Sequence, residues 1–436
     1  MQPSDELSRL VRAAQSEHRL PSVSAAVLVR GEPVLGLTVG IADASDGREA
    51  TPDTQYRIGS ITKTFTAAAV MALVDEGKIA LDDPLGKHVS AAVDRPLTIR
   101  RLLSHASGLQ REPVGHVLET FDFPTMAELL ERLDEAEQIL EPGAWFHYSN
   151  LAFALLGEVV AQASGSPYEQ FVEERLLGPV GLGRTTWEPA EPAAHGYFVD
   201  PYSGVLHPEA VLRRIDGVSA AGDLWSTAGD ICRWGRWLRD REPMHAVQVM
   251  ADPDHWLVAF GLGLMLHRRG ERILYGHDGA MPGFLASLIG SREDDVQACV
   301  LTNASTPWDQ VTGLALSLAE RAIELHPREP EAWRGHEPPP AEIAELLGVW
   351  WSEGDQVVLG WRDGHLEAHA VGAPARVKPS VFEQEGPGRY RVVSGRERGE
   401  RLEVVRDESG TVVKLYWATY PFTRQPQLFG PPHGGS

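Results

Sequence analysis

Cysteine is almost missing from this chain, and long apolar runs are missing altogether. The 436 residues include two cysteines, Cys232 and Cys299, which lie far apart and form no cluster of metal-ligand type. No apolar run approaches the roughly 18 residues that a membrane-spanning helix needs. The opening MQPSDELSRLVRAAQSEHRL lacks the basic start and apolar centre of a secretory signal. We therefore expect a reduced, cytoplasmic protein with no membrane span and no metal or other cofactor.

Positive charge is also scarce. The chain has 40 Lys plus Arg against 61 Asp plus Glu, a net charge of −21. This balance argues against a nucleic-acid partner, because phosphates need a basic surface to bind. Lysine is especially rare, since only five of the 40 basic residues are lysines. A lysine in a distinctive position is therefore informative.

The order of strand-like and helix-like segments predicts an α+β fold, an antiparallel sheet flanked by helices with a helical insertion. Strand-like runs at 23–29 and 33–41 form a hairpin near the start. Further strands are expected at 258–266, 271–276, 283–290 and 296–302. Helices are expected at 60–76, 97–104, 126–139, 150–163, 167–177, 228–239 and 308–325. The two ends of this region would thus build one sheet.

The character of the sequence changes after residue 328. Three consecutive prolines at 338–340 cannot continue a helix or lie inside a sheet. Beyond them, short segments with alternating apolar and polar residues are separated by turn signals. The sequence predicts a first domain at 1–328, a proline-rich linker at 329–340 and a small antiparallel β-barrel at 341–436.

One of the five lysines follows a serine by three residues, in the stretch RIGSITKTFT at 57–66. On a helix Ser60 and Lys63 would share a face. A serine hydroxyl becomes a good nucleophile only beside a base, and a lysine in a dry site can lose its charge and take up a proton. Arginine cannot do this. The motif alone leaves a second interpretation open, in which Ser60 caps the helix and Lys63 is solvated.

The stretch HYSN at 147–150 carries a second pair of polar groups. Tyr148 and Asn150 alternate, so in an extended segment their side chains point the same way. A tyrosine between two cations would ionise enough to act as a base, and the amide would hold a substrate carbonyl or N–H group. Taken alone, a buried tyrosine beside an asparagine helix cap is the more common explanation of such a stretch.

A third stretch, YGHDGAMPGFLA at 275–286, follows one of the expected strands. We expect that strand to end at Gly276, with His277 directly after it. Gly279 would let the backbone approach a ligand closely, and the N–H group of Ala280 would face a developing oxyanion. Taken alone, a hairpin turn is an equally good interpretation.

In this order and spacing the three stretches resemble the serine β-lactamase and penicillin-binding-protein superfamily. The resemblance is closest to the class C-like branch with family VIII esterases, D-aminopeptidases and penicillin-binding-protein-type thioesterases. It covers about residues 5–325, and LLSHASGL at 102–109 and SAAGDLWSTAGDICRW at 219–234 are also similar to stretches of that family. The superfamily motifs S-x-x-K, Y-x-N and H-x-G match Ser60-Ile-Thr-Lys63, Tyr148-Ser-Asn150 and His277-Asp-Gly279.

The resemblance implies roles for these residues. Ser60 would be the acylated nucleophile, and Lys63 and Tyr148 would share the proton relay. Asn150 would orient the substrate.

For the third motif, the resemblance implies that His277 lines the opposite wall and that Gly279 lets the backbone approach. The N–H groups of Ser60 and Ala280 would then form the oxyanion hole. True β-lactamases have a lysine at the position of His277. A histidine is mostly neutral near pH 7 and anchors a carboxylate less well, which favours esters, amides or thioesters over β-lactams.

The C-terminal part resembles the barrel-like, lipocalin-like domain of some members of this family. Such a domain would restrict entry to the acyl-enzyme site. Arg424, near the end of the last expected strand, would reach a substrate carboxylate or carbonyl in this interpretation. A surface arginine without such a role is the alternative.

The resemblance thus favours a serine hydrolase or acyltransferase acting on an ester, amide or thioester of a small or peptide-like substrate, D-amino-acid substrates included. One alternative is a trans-acting thioesterase that cyclises a nonribosomal peptide delivered as a carrier-protein-bound thioester. Another is a non-catalytic ligand-binding member of the fold. The expected partner is a small-molecule or peptide substrate, and the sequence indicates no oligomeric state.

Overall fold

The computed structural model describes residues 3–92, 95–210, 214–305, 307–329, 332–335, 337–374 and 377–428. The chain separates into two units, Met1–Arg328 and Glu329–Ser436. The predicted linker at 329–340 includes residues 330, 331 and 336, which lie outside the described residues. The end of the predicted barrel domain, 429–436, lies outside them as well.

A nine-stranded antiparallel sheet forms the centre of the first unit, in the order β3-β2-β1-β9-β8-β7-β6-β5-β4. The first and last parts of the unit meet where β1 pairs with β9, with Ala26 opposite Cys299. The predicted sheet built from both ends is therefore confirmed. Its strands are β1 (Ser22–Val29), β2 (Glu32–Asp43), β3 (Arg48–Glu49), β4 (Val249–Met250), β5 (Val258–Phe260), β6 (Met265–Arg269), β7 (Arg272–Met281), β8 (Phe284–Ser291) and β9 (Val296–Thr302).

Helices cover both faces of this sheet. One face packs against α1 and α11 in an apolar core that includes Leu7 and Leu318. A second, larger core lies between the other face, α10 and the helical part of the unit. The helices are α1 (Pro3–Glu17), α2 (Thr62–Asp75), α3 (Ile99–Leu103), α4 (Val117–Thr120), α5 (Met126–Glu131), α6 (Asn150–Ser164), α7 (Tyr168–Val172), α8 (Gly178–Val180), α9 (Ser219–Gly222), α10 (Ala228–Arg239) and α11 (Trp308–Leu325).

Helix α2 lies in the middle of the larger core, as its composition predicts. The run TAAAVMAL offers apolar or small side chains in every direction, and nearly all of the helix is buried. A short 3-10 turn, Gly59–Ile61, precedes the helix and carries Ser60. At the other end Gly77 has a φ of 70°, the left-handed conformation that commonly ends helices.

Two sequence expectations differ from the structure in the sheet. The run expected at 258–266 is two strands, β5 and β6, because Gly263 adopts a φ of 73° and turns the chain between them. The strand expected to end at Gly276 continues as β7 to Met281. Hydrogen bonding to β8 holds this extension, with Gly279 opposite Ala286.

The second unit is a nearly closed antiparallel barrel of eight strands in sequential order. It closes where Trp351 and Thr423 exchange backbone hydrogen bonds of 2.8 and 2.9 Å. Trp350, Phe382 and Tyr390 fill its interior. After α12 (Ala341–Ala344), the strands are β10 (Gly348–Ser352), β11 (Asp355–Arg362), β12 (His365–Ala370), β13 (Ser380–Gly386), β14 (Arg389–Ser394), β15 (Arg401–Arg406), β16 (Val412–Trp417) and β17 (Tyr420–Phe422).

Candidate active site

Ser60 lies where the helical part of the first unit meets the edge of β7. The turn that carries it is held by Ile58, whose N–H group donates to the carbonyl of Leu224. Gly59 has a φ of 50°, and a Cβ at this position would lie 2.7 Å from the backbone nitrogen of Ala280. Only glycine lets the turn approach the strand this closely. Ser60 itself remains partly exposed.

Lys63 is fully buried and points at Ser60. Its Nζ lies 3.1 Å from Ser60 Oγ, 2.7 Å from Asn150 Oδ1 and 2.7 Å from the carbonyl oxygen of Ala221. Burial lowers the pKa of this lysine well below its ordinary value. A neutral amine would donate to the two carbonyl oxygens and accept the proton of the serine hydroxyl. The surroundings of Lys63 therefore suit a base.

Tyr148 is the second side chain in contact with Ser60. Its hydroxyl hydrogen-bonds with Ser60, and Lys63 Nζ lies 4.9 Å from the ring centroid. The expectation that neighbouring cations would ionise the phenol is wrong, because burial raises the pKa of Tyr148 above its ordinary value. The phenol is thus neutral and can pass a proton along, while the amine of Lys63 is the group ready to accept one.

His105, in the LLSHASGL stretch, holds the segment of Tyr148 in place. Its ring stacks on Tyr148 with the centroids 4.1 Å apart. Its Nδ1 accepts a hydrogen bond of 3.1 Å from the N–H group of Ser149, and its carbonyl accepts one of 2.8 Å from His147. No role for His105 was predicted from the sequence, although the stretch that contains it is similar to one of the family.

Asn150 connects Lys63 to an acidic residue that the sequence analysis missed. Asn150 begins α6 and donates through Nδ2 to Glu112 Oε1 at 2.6 Å. The Glu112 side chain is 17% exposed, and burial raises the pKa of its carboxyl group. The only sequence signal for Glu112 is its position just after the LLSHASGL stretch. Folding places it beside α6.

His277 lies inside β7 rather than after a strand end. Its Nδ1 donates to the carbonyl of Asp278 at 2.6 Å, which leaves Nε2 as an acceptor. Burial lowers the pKa of this histidine to about 3. The ring centroid lies 6.2 Å from that of Tyr148. This wall of the site is therefore uncharged at neutral pH.

The backbone of β7 crosses the Ser60 turn at Gly279. A Cβ on Gly279 would lie 1.9 Å from the carbonyl oxygen of Ile58 and 3.1 Å from the nitrogen of Ser60. A Cβ on Gly59 would likewise lie close to the backbone nitrogen of Ala280. The backbone amides of Ser60 and Ala280 therefore both lie where β7 crosses the Ser60 turn. Two N–H groups placed in this way suit an oxyanion.

Arg424 lies in the second unit and its guanidinium is engaged there. It donates to the carbonyl oxygens of Glu345, Leu347 and Val349 at 2.6 to 3.2 Å. The guanidinium carbon lies 3.9 Å from the ring centroid of Trp350. These contacts tie the end of the barrel to its first strand and account for Arg424 without a substrate.

The described residues contain no group of three or more His, Cys, Asp or Glu side chains arranged to hold a metal ion. None of the helices in the described part of the chain combines the length and apolarity needed to cross a bilayer.

Acylation of Ser60 should depend on pH through Lys63. If the neutral amine of Lys63 is the base, the rate should rise as pH increases through the pKa of Lys63, and the rise should be complete well below the ordinary lysine value of 10.5. The measurement is the rate of labelling by an uncharged activated ester across pH, corrected for spontaneous hydrolysis in buffer. A rise centred on the value of a free lysine would contradict this assignment.

Comparison with known proteins gives the family. The family model described as Beta-lactamase matches residues 7–321, and that of a domain of unknown function (DUF7586) matches residues 339–424. The chain is 34% identical over 190 residues to the D-alanyl-D-alanine-carboxypeptidase/endopeptidase AmpH of Escherichia coli (strain K12), covering 42% of this chain and 48% of that protein. It is 28% identical over 295 residues to a D-aminopeptidase of Brucella anthropi, covering 64% of this chain and 55% of that protein. The chain thus spans about half the length of these curated relatives.

A solved structure shows the same fold. The D-amino acid amidase from Ochrobactrum anthropi SV3, complexed with L-phenylalanine amide, has a TM-score of 0.62 and 26% identity to this chain. The match covers 73% of this chain and 98% of the amidase. The chain belongs to the beta-lactamase family and is similar to a D-aminopeptidase and a D-amino acid amidase.

Proposed function

We propose that this protein hydrolyses aminoacyl amides or esters that carry a free α-amino group, through an acyl-enzyme on Ser60. The observation that carries the proposal is the carboxylate of Glu112, which lies at the site within one hydrogen bond of Asn150. A largely buried carboxylate, linked through Asn150 to the lysine beside Ser60, suits an ammonium group of the substrate.

The neutral wall at His277 supports the same substrate class from the other side. With Nδ1 donating to the Asp278 carbonyl, the ring offers an acceptor and no positive charge. Substrates with a free carboxylate on the leaving group, such as peptides ending in D-alanine, would find no cation at this wall. Amides and esters without that carboxylate fit better.

In the proposed reaction one proton passes from Ser60 to Lys63 and then to the leaving group. Ser60 Oγ forms a bond to the substrate carbonyl carbon while Lys63 takes the hydroxyl proton. The electron pair of the carbonyl goes to its oxygen, which the N–H groups of Ser60 and Ala280 stabilise.

The bond to the leaving amine or alcohol then breaks. The leaving group takes the proton from Lys63 by way of the Tyr148 hydroxyl. Water repeats these steps on the acyl-enzyme and releases the acid and free Ser60. If an amine of the substrate attacked instead of water, a cyclic product would result, and no contact among the described residues favours that outcome.

The D configuration of the amino acid is part of the proposal. It is supported by the D-aminopeptidase and D-amino acid amidase among the similar proteins. Matched D- and L-phenylalanyl p-nitroanilides test it directly, and equal rates on both would contradict it.

The carboxylate of Glu112 should be needed for amines and not for acylated amines. Replacing Glu112 with glutamine should lower kcat/KM for D-phenylalanyl p-nitroanilide by about tenfold or more, because a charge-assisted hydrogen bond is lost. Activity on the N-acetyl analogue should change little. Glu119→Gln, an exposed glutamate on α4, is the matched control. If Glu112→Gln lowered both activities equally, Glu112 would only hold Asn150.

A further inference from the structure

An arginine that no motif predicted lies at the open edge of this site. The guanidinium carbon of Arg111 lies 5.0 Å from the ring centroid of Tyr148. Its Nε lies 3.7 Å from Glu112 Oε1, longer than a hydrogen bond. The side chain is nevertheless 62% exposed. The cation thus adjoins both groups and still faces solvent.

The position of Arg111 is fixed by its backbone. Its carbonyl oxygen accepts from the N–H groups of Asn150 and Leu151 at 2.7 and 3.1 Å, which ties it to the start of α6. Within the described part of the chain, Arg111 makes the ion pair with Glu112 and the contact with the Tyr148 ring, and its guanidinium donates no hydrogen bond. By contrast, Arg214 donates to Asp223 at 2.6 Å.

The charges at this edge would alternate once a substrate is bound. The proposed substrate ammonium lies against Glu112, and it therefore competes with Arg111 for that carboxylate. A second carboxylate, on the substrate, would give Arg111 a partner and continue the alternation of charges. A guanidinium fork with free donors suits a carboxylate in two-point contact.

We propose that Arg111 forms a carboxylate subsite next to Glu112, so that the preferred acyl groups carry a carboxylate within a few bonds of their free amine. Dicarboxylic aminoacyl groups, such as D-aspartyl and D-glutamyl, have this chemistry. The inference rests on the proposed function for the place of the amine. Because Arg111 adjoins the group assigned to the acyl amine, the carboxylate belongs to the acyl part of the substrate and not to the leaving group.

The test compares carboxylates with amides of the same shape. Substrates are the p-nitroanilides of D-aspartate and D-glutamate and of their neutral counterparts D-asparagine and D-glutamine. Arg111→Gln should lower kcat/KM for the acidic pair by about tenfold and for the neutral pair by less than about twofold. For the acidic pair, kcat/KM of Arg111→Lys should lie between that of the native protein and that of Arg111→Gln, because lysine keeps the charge and loses the planar fork. High salt should reduce the preference of the native protein.

The matched control is Arg268→Gln. Arg268 is also exposed, and its guanidinium carbon lies 4.7 Å from the ring centroid of Trp256. It lies opposite Ile273, four residues before His277 along β7. Arg268→Gln should leave kcat/KM unchanged for both substrate pairs. If Arg111→Gln lowered both pairs equally, Arg111 would act through Tyr148 and the inference would fall. No change on either pair would overturn it too.

Esters without an amine separate this inference from the proposed function. The native protein should acylate faster with p-nitrophenyl hemisuccinate than with the neutral succinamate, and Arg111→Gln should abolish the difference. If this holds while Glu112→Gln has no effect on aminoacyl substrates, the proposed function fails and the subsite stands. If Glu112 proves necessary but neither acidic series depends on Arg111, only the subsite fails.

Discussion

Replacing Lys63 with methionine is expected to slow acylation of Ser60 by about 10³-fold or more. Among the described residues, the amine of Lys63 is the group within hydrogen-bond reach of Ser60 Oγ whose surroundings favour the proton-accepting form, because burial lowers its pKa. Methionine has a similar length and no amine, so the helix keeps its packing in the core. The measurement is the labelling rate with a fluorophosphonate or an activated p-nitrophenyl ester, read by intact mass.

Two further variants are the controls for that result. Ser60→Ala should give no label and sets the background. Lys78→Met removes a lysine whose side chain is 47% exposed and should label like the native protein. Labelling of Lys63→Met at a rate near that of the native protein would refute the assignment of Lys63 as the base, and Tyr148 would then have to act alone.

Replacing Gly279 with alanine is expected to lower activity by about 10²- to 10³-fold, as for the loss of an oxyanion donor. The new Cβ would lie 1.9 Å from the Ile58 carbonyl oxygen, which no real contact allows. Strand β7 must then move away from the Ser60 turn, and the N–H groups of Ser60 and Ala280 separate. The measurements are kcat/KM for a small ester and the thermal unfolding midpoint.

A second glycine of the same sheet provides the control. A Cβ on Gly36, in β2, would have no heavy atom within 4 Å, so Gly36→Ala should change neither quantity much. Full activity of Gly279→Ala would show that the two amides are not a working pair. A lower unfolding midpoint together with normal activity would give Gly279 a role in packing alone.

Local patterns sufficed for most elements of the first unit. The core helix α2 was predicted because TAAAVMAL is apolar in every direction, and the hairpin of β1 and β2 because two β-rich runs flank Arg30-Gly31-Glu32. The strand break at Gly263 and the continuation of β7 past Gly276 were not predicted. The break between β5 and β6 depends on the left-handed turn at Gly263. The continuation of β7 depends on its pairing with β8.

The site residues likewise fall into two groups, those that a local pattern predicts and those that only folding brings together. The spacing of Ser60 and Lys63 on one helical face is a local property, and the scarcity of lysine made it visible. Glu112 and Arg111 belong to no spacing motif. They reach the site because the Arg111 carbonyl accepts from the start of α6, which brings two distant segments together.

The sequence by itself determined the α+β architecture and the order of the motifs, because periodicity and spacing are carried by neighbouring residues. The serine that is expected to react followed from the resemblance of these motifs to those of the superfamily. Tertiary structure alone decided the protonation of the site. Burial lowers the pKa values of Lys63 and His277 and raises that of Tyr148. How much water reaches a side chain depends on segments far apart in the chain, and no local pattern encodes it.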